Sequence, residues 1–334
     1  MPAGRPTQAD VARQAGVSRQ LVSLVVRGDP RVSPDRRADV LRALEELGYR
    51  PNTAARSLAS RRSGLVGVVL PTLANPFYGE LGDGFSRVAH RFGLTTLLGT
   101  GADEESFDAA TGQFVDLGVD GLVLVSPRVP DHRISGLGRS LPVAVLTHDV
   151  HPAHTALVRA DNRRGTALAT SHLIGQGYSP VVFVGPRPRS EGDSVHLRVA
   201  GYTEAATGAG LDPVIVEVRP GGSVEDCVRP LVERHGTGLG LVCHDDLTAL
   251  SASLAISASR LDIGRDIGVT GFDDSRLAAL PGVSLTSVAP GTSRMMEVAI
   301  GAVASAIAAG ATSCTEEDVV LPSSLVIRSS TQVG

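Results

Sequence analysis

From residue 64 onward, short apolar runs alternate with segments of helical pattern, and this alternation constrains the fold more than any other feature. Eight runs have the pattern of strands: Leu65–Leu70, Thr95–Leu98, Gly121–Val125, Val143–Leu146, Val181–Val184, Val214–Val218, Gly240–Val242 and Ile267–Thr270. Continuously apolar strands are typical of parallel sheets that helices cover on both faces. Eight such units exceed one doubly wound sheet of ordinary size, so we predict an α/β body with two subdomains.

The first 50 residues carry the pattern of three short helices instead. The predicted helices are Gln8–Ala15, Arg19–Val26 and a segment that Pro34 opens and Gly48 ends. Gly16 permits the left-handed turn between the first two helices, which is the pattern of a helix-turn-helix. We expect apolar side chains at helical spacing to form the buried stripe of the third helix: Val40, Leu41, Leu44 and Leu47.

Charge is distributed unevenly along the chain. Residues 1–63 carry 12 arginines against six acidic residues, a formal charge of +6, although the whole chain has a net charge of −4. A basic head on an acidic body is typical of a protein that binds nucleic acid. All 31 basic residues are arginine, which excludes chemistry that needs a lysine amine, such as a Schiff base or a Gly-Lys-Ser/Thr phosphate loop.

The second predicted helix presents Arg19, Gln20, Ser23 and Arg27 on its outer face. Arginine and glutamine can form paired hydrogen bonds with guanine and adenine edges, and the N-terminus of a helix suits a phosphate. A helix pair with glycine in its turn also occurs as a simple packing unit. The basic charge of the head favours DNA binding over that alternative.

The order of the motifs resembles the lac repressor family of bacterial transcription regulators. The matching segments are Asp10–Ser18, Val32–Pro34, Leu44–Asn52, Ala55–Leu58, Asn75–Phe77, Val119–Gly121, Asp161–Gly165, Arg198–Tyr202, Asp246–Ala249 and Gly271–Asp274. The resemblance implies an all-α helix-turn-helix head at 1–50, a hinge helix or linker at 51–63 and a core like that of periplasmic binding proteins. In that core we expect an N-terminal subdomain at 64–161 and 290–321, and a C-terminal subdomain at 162–289 and 322–334.

The same resemblance implies which residues contact DNA: Thr7, Ser18, Arg19, Gln20, Ser23, Leu24, Arg27, Tyr49, Asn52, Ala55, Arg56 and Leu58. Leu58 matches the hinge leucine that, in a dimer, wedges into the minor groove of a palindromic operator. The alternative is that Leu58 packs against the core. The family usually has Arg at the position of Leu24 and Asn at that of Arg27, so the operator sequence stays open.

By matching position, the effector would contact residues of the cleft between the two subdomains: Phe77, Tyr78, His148, Asp161, Ser194, Arg198, Asp245 and Asp273. Asp245 stands where the family commonly has Asn. The additional carboxylate favours a hydroxyl-rich or cationic ligand over a phosphorylated one.

We therefore expect a transcriptional regulator, most simply a repressor, that binds a palindromic operator as a homodimer. A small polar effector, a sugar, polyol or nucleoside, would control it. We expect no enzymatic activity, cofactor or metal, no membrane association and a cytoplasmic location. The alternative is a solute-binding or enzymatic α/β protein whose N-terminal helices only mediate contacts.

Overall fold

The computed structural model describes residues 6–26, 29–49, 62–188 and 193–332. The chain forms two compact units, Met1–Ser63 and Gly64–Gly334, which we call the head and the body.

The described part of the head contains the helices α1 (Gln8–Gln14), α2 (Arg19–Val26) and α3 (Pro34–Glu46). Small and β-branched side chains form its core: Val11, Ala12, Val22, Val25, Val32, Val40 and Ala43. Leu44 and Leu47 pack against this core, but Leu41 is half exposed. The prediction for Leu41 was wrong because the buried face of α3 passes through Val40, Ala43 and Leu44, which leaves Leu41 beside it.

The body contains strands and helices in alternation. Its strands are β1 (Leu65–Leu70), β2 (Thr95–Thr100), β3 (Gly121–Val125), β4 (Val143–Leu146), β5 (Ala156–Ala160), β6 (Val181–Pro186), β7 (Val214–Val218), β8 (Gly240–Cys243), β9 (Gly268–Phe272), β10 (Thr286–Ala289), β11 (Asp318–Leu321) and β12 (Ser324–Val326). Its α-helices are α4 (Pro76–Arg91), α5 (Glu104–Asp116), α6 (Asp131–Gly138), α7 (Asn162–Gly175), α8 (Val195–Gly208), α9 (Val224–His235), α10 (Asp246–Ser257) and α11 (Thr292–Ala309).

The described strands form two sheets. The first has the order β11-β5-β4-β3-β1-β2 and is parallel throughout, whereas the second has the order β12-β10-β9-β8-β6-β7 and is parallel except for β12. Helices α4, α5, α6 and α11 pack on the first sheet to form the first lobe. Helices α7 to α10 pack on the second sheet to form the second lobe. This confirms the predicted fold class of a helical head and an α/β body with two parallel sheets.

The chain passes between the lobes three times within the described residues: from β5 to α7, from β10 to α11 and from β11 to β12. The crossing segments lie side by side. The N–H of Asp161 donates to the carbonyl of Leu321 at 2.8 Å, and the Ser323 hydroxyl donates to the carbonyl of Asp161 at 3.0 Å. None of the described helices is long and apolar enough to cross a bilayer.

Candidate functional site

A cavity lies where the carboxyl ends of strands from both sheets meet, and it encloses about 580 Å³ of space, part of it open to solvent. The first lobe lines it with Phe77, Tyr78, Leu81, Val125, Ser126, Leu146, Thr147, Ala160, Thr292 and Met295. The second lobe and the crossing segments line it with Asn162, Ser194, Arg198, His244, Asp245, Phe272, Asp273 and Pro290. Ligands of open parallel sheets bind at this edge, because strand-end loops can offer polar groups there.

Three non-glycine residues of the lining have left-handed backbones. Ser126 follows β3 with φ 44°, Thr147 follows β4 with φ 53°, and Asp273 follows β9 with φ 110°. Such backbones cost an L-residue roughly 1–3 kcal/mol and cluster at ligand sites, where the surrounding structure holds them. The hydroxyls of Ser126 and Thr147 are hydrogen-bonded to each other.

Arg198 is buried in this site and is held from three directions. Its Nε donates to Oδ1 of Asn162 at 3.1 Å, and its Nη1 donates to the carbonyl of His244 at 2.6 Å. Its guanidinium carbon lies 3.6 Å from the ring centroid of Phe272, a cation–π geometry. A buried arginine fixed in this way is a pre-organised donor.

Asp273 faces Arg198 across a gap. Its Oδ1 lies 3.9 Å from Nη2 of Arg198, which is too far for a hydrogen bond, and both side chains are buried. Burial raises the pKa of Asp273 well above its usual range, and the charges of Asp245, Asp246 and Glu80 act in the same direction, against Arg198. A ligand hydroxyl that hydrogen-bonds both groups would relieve this unfavourable burial.

Two further lining residues carry buried polar atoms without a partner among the described residues. These atoms are Nδ2 of Asn162 and Nδ1 of His244. Burial and the charge of Arg198 lower the pKa of His244 to about 4, so its ring is neutral at physiological pH. Burial raises the pKa of Tyr78 to about 12, which keeps its hydroxyl as a neutral donor. Buried polar groups normally have partners, so these atoms indicate a polar occupant of the cavity.

The caps of two helices contact each other across the cleft. Oδ1 of Asn75 accepts from the N–H of Phe77 and starts α4, while Oδ1 of Asp245 accepts from the N–H of Thr248 and starts α10. Nδ2 of Asn75 then donates to Oδ2 of Asp245 at 3.3 Å. On the same rim, the N–H of Arg276 donates to Oε1 of Glu80 at 2.9 Å. These bonds link the two lobes directly.

Asp246 holds the loop that carries Asp273. Its Oδ2 accepts from the N–H and the hydroxyl of Ser275, each at 2.8 Å, and its Oδ1 accepts from the Ser287 hydroxyl at 2.5 Å. A Cβ on Gly271 would lie 2.2 Å from that Oδ1, so the close approach requires glycine there. Burial raises the pKa of Asp246 to about 6.

Asp246 makes the stability of the body depend on pH in a defined direction. Because its folded pKa of about 6 lies above the ordinary aspartate value of 3.8, the folded protein binds this proton first as pH falls. The free energy of unfolding, relative to Asp246→Asn, should therefore rise by about 1 kcal/mol from pH 7 to pH 5. Urea unfolding at each pH measures this difference, with Asp116→Asn, an exposed site, as the control. A constant or falling difference would contradict the buried-carboxyl interpretation.

The structure brings six of the eight sequence-predicted effector residues to the cavity: Phe77, Tyr78, Ser194, Arg198, Asp245 and Asp273. His148 and Asp161 are not in its lining. Nε2 of His148 lies 2.9 Å from Oδ1 of Asp131, and Asp161 caps α7 by accepting from the N–H of Arg164. Their chain neighbours Thr147 and Asn162 line the cavity instead.

Sequence reasoning missed polar lining residues at or near strand ends: Ser126, Thr147, Asn162 and His244. Their position after a predicted strand was a usable signal for three of them, because strand ends of a parallel sheet share one edge. Asn162 follows β5, which the sequence analysis did not predict.

In the head, the residues predicted to contact DNA differ in exposure. Ser18, Arg19 and Gln20 are exposed at the start of α2, and the Ser18 hydroxyl accepts from the N–H of Leu21 at 3.2 Å. Ser23 is half-buried. Leu24 and Tyr49 are half-buried and pack against the core of the head, so part of each side chain serves packing.

Thr7 caps α1 through a reciprocal pair of bonds with Asp10. Gly16, with φ 62°, forms the predicted turn between α1 and α2. The remaining predicted contacts lie outside the described residues: Arg27, Asn52, Ala55, Arg56 and Leu58.

Comparisons with known proteins agree with both units. Residues 7–52 match the family of bacterial regulatory proteins, lacI family, and residues 170–331 match the periplasmic binding protein-like domain. Catabolite control protein A of Priestia megaterium is 31% identical over 288 residues, which cover 84% of this chain and 86% of that protein. The chain belongs to the lacI family of bacterial regulatory proteins. This lacI-family protein is accordingly a DNA-binding transcriptional regulator, and its relatives are regulators, not enzymes.

Solved structures resemble the lacI-family chain over nearly its whole length. A complex of the transcriptional regulator CelR with cellobiose matches with a TM-score of 0.69 and 28% identity, over 98% of this chain and 100% of that one. The lac repressor dimer bound to operator and the anti-inducer ONPF matches with a TM-score of 0.80 and 24% identity, over the same shares. The likeness to the lac repressor supports the fold of this chain.

Proposed function

We propose that this lacI-family regulator is a repressor that a neutral, hydroxyl-rich metabolite, a sugar or polyol, controls from the cavity between the lobes. The observation that carries this proposal is the arrangement around Arg198 and Asp273. A fixed donor and a buried acceptor stand 3.9 Å apart, with the unpartnered Nδ2 of Asn162 on the same lining. Neighbouring hydroxyls of a sugar can donate to one such group while accepting from the other.

The apolar part of the lining supports the same ligand class. The rings of Phe77 and Tyr78 lie 5.6 Å apart, centroid to centroid, at the start of α4, and they offer flat faces to the C–H groups of a sugar ring. The lining has two aspartates, Asp245 and Asp273, against one arginine, and this excess of carboxylates disfavours an anionic ligand. The similar regulator CelR was solved with cellobiose.

For DNA, we propose that α2 reads the major groove with Arg19, Gln20 and Ser23 at its exposed start and side. Residues 1–50 would form the DNA-binding domain and 51–63 the hinge, in which Leu58 would enter the minor groove. Two copies of the chain would contact two halves of a palindrome. The lac repressor was solved as a dimer bound to operator.

The ligand would act by changing the angle between the lobes. The proposed lobes, 64–161 with 290–321 and 162–289 with 322–334, are connected by the three crossings and by the Asn75–Asp245 and Glu80–Arg276 bonds. A ligand can shift this equilibrium only if it binds one cleft state more tightly than the other. Arg198 and Asn162 belong to one lobe and Tyr78 to the other, so a ligand that contacts all three favours closure.

The test is a thermal-shift screen of sugars, polyols, nucleosides and sugar phosphates, followed by operator binding with each hit. A ligand present at about 100 times its Kd adds about 2.7 kcal/mol to the free energy of unfolding, so we expect a rise in Tm of several degrees for at least one sugar or polyol. The same compound should change the affinity for a palindromic fragment of the protein's own promoter. Hits confined to phosphorylated compounds, or a hit without any effect on operator affinity, would contradict the proposal.

A further inference from the structure

Helix α2 carries a leucine on the face that is turned away from the core of the head. Val22 and Val25 are buried in that core. Successive residues of a helix are rotated by about 100°, so Gln20 points almost directly away from these two valines, and Leu24 lies roughly 130° from their mean direction. Leu24 follows Gln20 by one helical turn, so the two side chains are neighbours on the outer face.

Packing accounts for only one side of Leu24. The side chain is half-buried and packs in part against the core of the head. Its other side faces solvent beside Gln20, which is exposed. Single exposed leucines are common on protein surfaces. This one, however, lies on the helix that we propose to enter the major groove, where its exposed side would face the base edges.

The backbone that carries Leu24 is fixed near the end of α2. The carbonyl of Leu24 accepts from the N–H of Asp29 at 3.0 Å. The carboxylate of Asp29 in turn accepts from the N–H of Arg31 at 3.0 Å and from its Nη2 at 2.7 Å. Leu24 therefore keeps a defined position relative to Gln20, as a side chain that recognises a base must.

A leucine can make one kind of favourable contact with the base edges of the major groove. Those edges carry nitrogen and oxygen atoms that form hydrogen bonds, and among the four bases thymine also presents a methyl group at C5. Contact with the polar atoms would remove their water without supplying a hydrogen bond. Contact with the methyl group buries apolar surface on both sides. The exposed side of Leu24 therefore favours thymine.

We propose that Leu24 is a specificity-determining residue that recognises the methyl group of a thymine in each half of the operator. This inference rests on the proposed function of α2 as the helix that enters the major groove. Side chains four residues apart on a helix are about 5–6 Å apart, and successive bases of a strand are about 3.4 Å apart. The thymine thus lies one or two base pairs from the base that Gln20 contacts.

Uracil in place of thymine tests this inference, because it removes the methyl group and keeps every hydrogen-bonding atom of the base. A palindromic duplex is first selected from random sequences with the whole chain. Each symmetric pair of thymines is then replaced by uracil in turn, and fluorescence anisotropy gives the Kd. We expect one pair of positions at which uracil weakens binding about fifteenfold, which is about fourfold for each buried methyl group.

Two variants assign this effect to its residue. Leu24→Ala should bind the thymine and uracil duplexes with Kd values within twofold of each other, because alanine does not reach the methyl group. Leu41→Ala removes an exposed leucine from α3 and is the matched control, which should keep the fifteenfold ratio. Each ratio compares two duplexes on one protein, so a loss of stability in a variant affects both Kd values alike. The uracil scan of the unaltered chain needs no variant.

The outcomes separate this inference from the proposed role of α2. If uracil at no position weakens binding by the unaltered chain more than twofold, or if Leu24→Ala keeps the ratio, the inference is wrong. Gln20→Ala tests α2 itself and should weaken binding more than tenfold, whichever base Leu24 contacts. If Gln20→Ala also binds normally, or if no duplex is selected, both proposals are wrong. A uracil effect that Leu24→Ala abolishes and Leu41→Ala retains supports the inference.

Discussion

Asp273→Ala should abolish the response to effector without weakening operator binding. Asp273 is the buried acceptor opposite Arg198, and its removal leaves a buried ligand hydroxyl unsatisfied, which costs about 1–3 kcal/mol. We therefore expect the Kd for the sugar selected by the thermal screen to rise at least 30-fold, about 2 kcal/mol. Titration calorimetry measures this loss of effector affinity. Fluorescence anisotropy with operator DNA should show an unchanged affinity of the head for its operator.

Asp274→Ala is the matched control for this prediction. Both aspartates have left-handed backbones, with φ 110° and 47°, so alanine imposes a comparable backbone cost at either position. Asp274 pairs with Arg328 at 2.7 Å and does not line the cavity. Its variant should lose some stability and keep its effector affinity. If Asp273→Ala binds the effector with unchanged affinity and responds to it normally, the binding site has been misplaced.

Operator affinity should fall about a thousandfold when salt rises from 50 to 200 mM. The head has a formal charge of +6, and each phosphate contact that it makes releases a condensed counterion. A loss of this size corresponds to roughly six or more phosphate contacts in the complex. Fluorescence anisotropy with a labelled palindrome from the protein's own promoter gives the slope. Affinity that is independent of salt would contradict DNA binding through the basic head.

Two arginines of the head separate specific contact from general charge. Arg19 is exposed at the start of α2, whereas Arg13 is exposed on α1 and pairs with Asp10 at 3.1 Å. Arg19→Gln and Arg13→Gln remove the same charge. We expect Arg19→Gln to weaken operator binding more than tenfold and Arg13→Gln by less than threefold, because only Arg19 stands on the proposed reading helix. Equal losses would mean that α2 does not read the groove.

The sequence predicted the long, strongly apolar elements well. All eight predicted strands occur. Six of them are apolar runs that the parallel sheets bury, whereas the edge strands β2 and β7 contain no buried residue. The start of α4 is set by its cap and not by its apolar pattern. The Asn75 side chain accepts from the N–H of Phe77, and Pro76 is the first helical residue.

Four strands were not predicted, and their residues explain why. β5 contains Arg159, which pairs with Asp318 of the edge strand β11, so neither segment is a continuous apolar run. β10 includes Thr286 and Ser287, whose hydroxyls are satisfied by contacts distant in sequence, including Asp246. β12 has only three residues. Local pattern cannot show such long-range partners.

The candidate site also contains residues that the sequence could predict and residues that depend on long-range contacts. Charged residues such as Arg198 and Asp273 could be singled out from motifs, whereas the roles of Asn162 and His244 depend on which strand ends become neighbours. Arg128 carried no motif at all. It lies near Ser194 of the other lobe because two lobes pair that the chain connects by three separate segments.

Those three segments also limit how the body can deform. Two of them, β5 to α7 and β11 to β12, are hydrogen-bonded to each other, so we expect that neither sheet can slide past the other without stretching the covalent chain. The motion that remains is a hinge rotation of the two lobes about these crossing segments, which we call the seam. A fraction of an ångström gained at the seam becomes a larger displacement at the far rim, in proportion to its distance from the pivot. A ligand that closed the proposed cleft would change the angle between the lobes, and substitutions at the seam should alter the size of that change more than the strength of ligand binding.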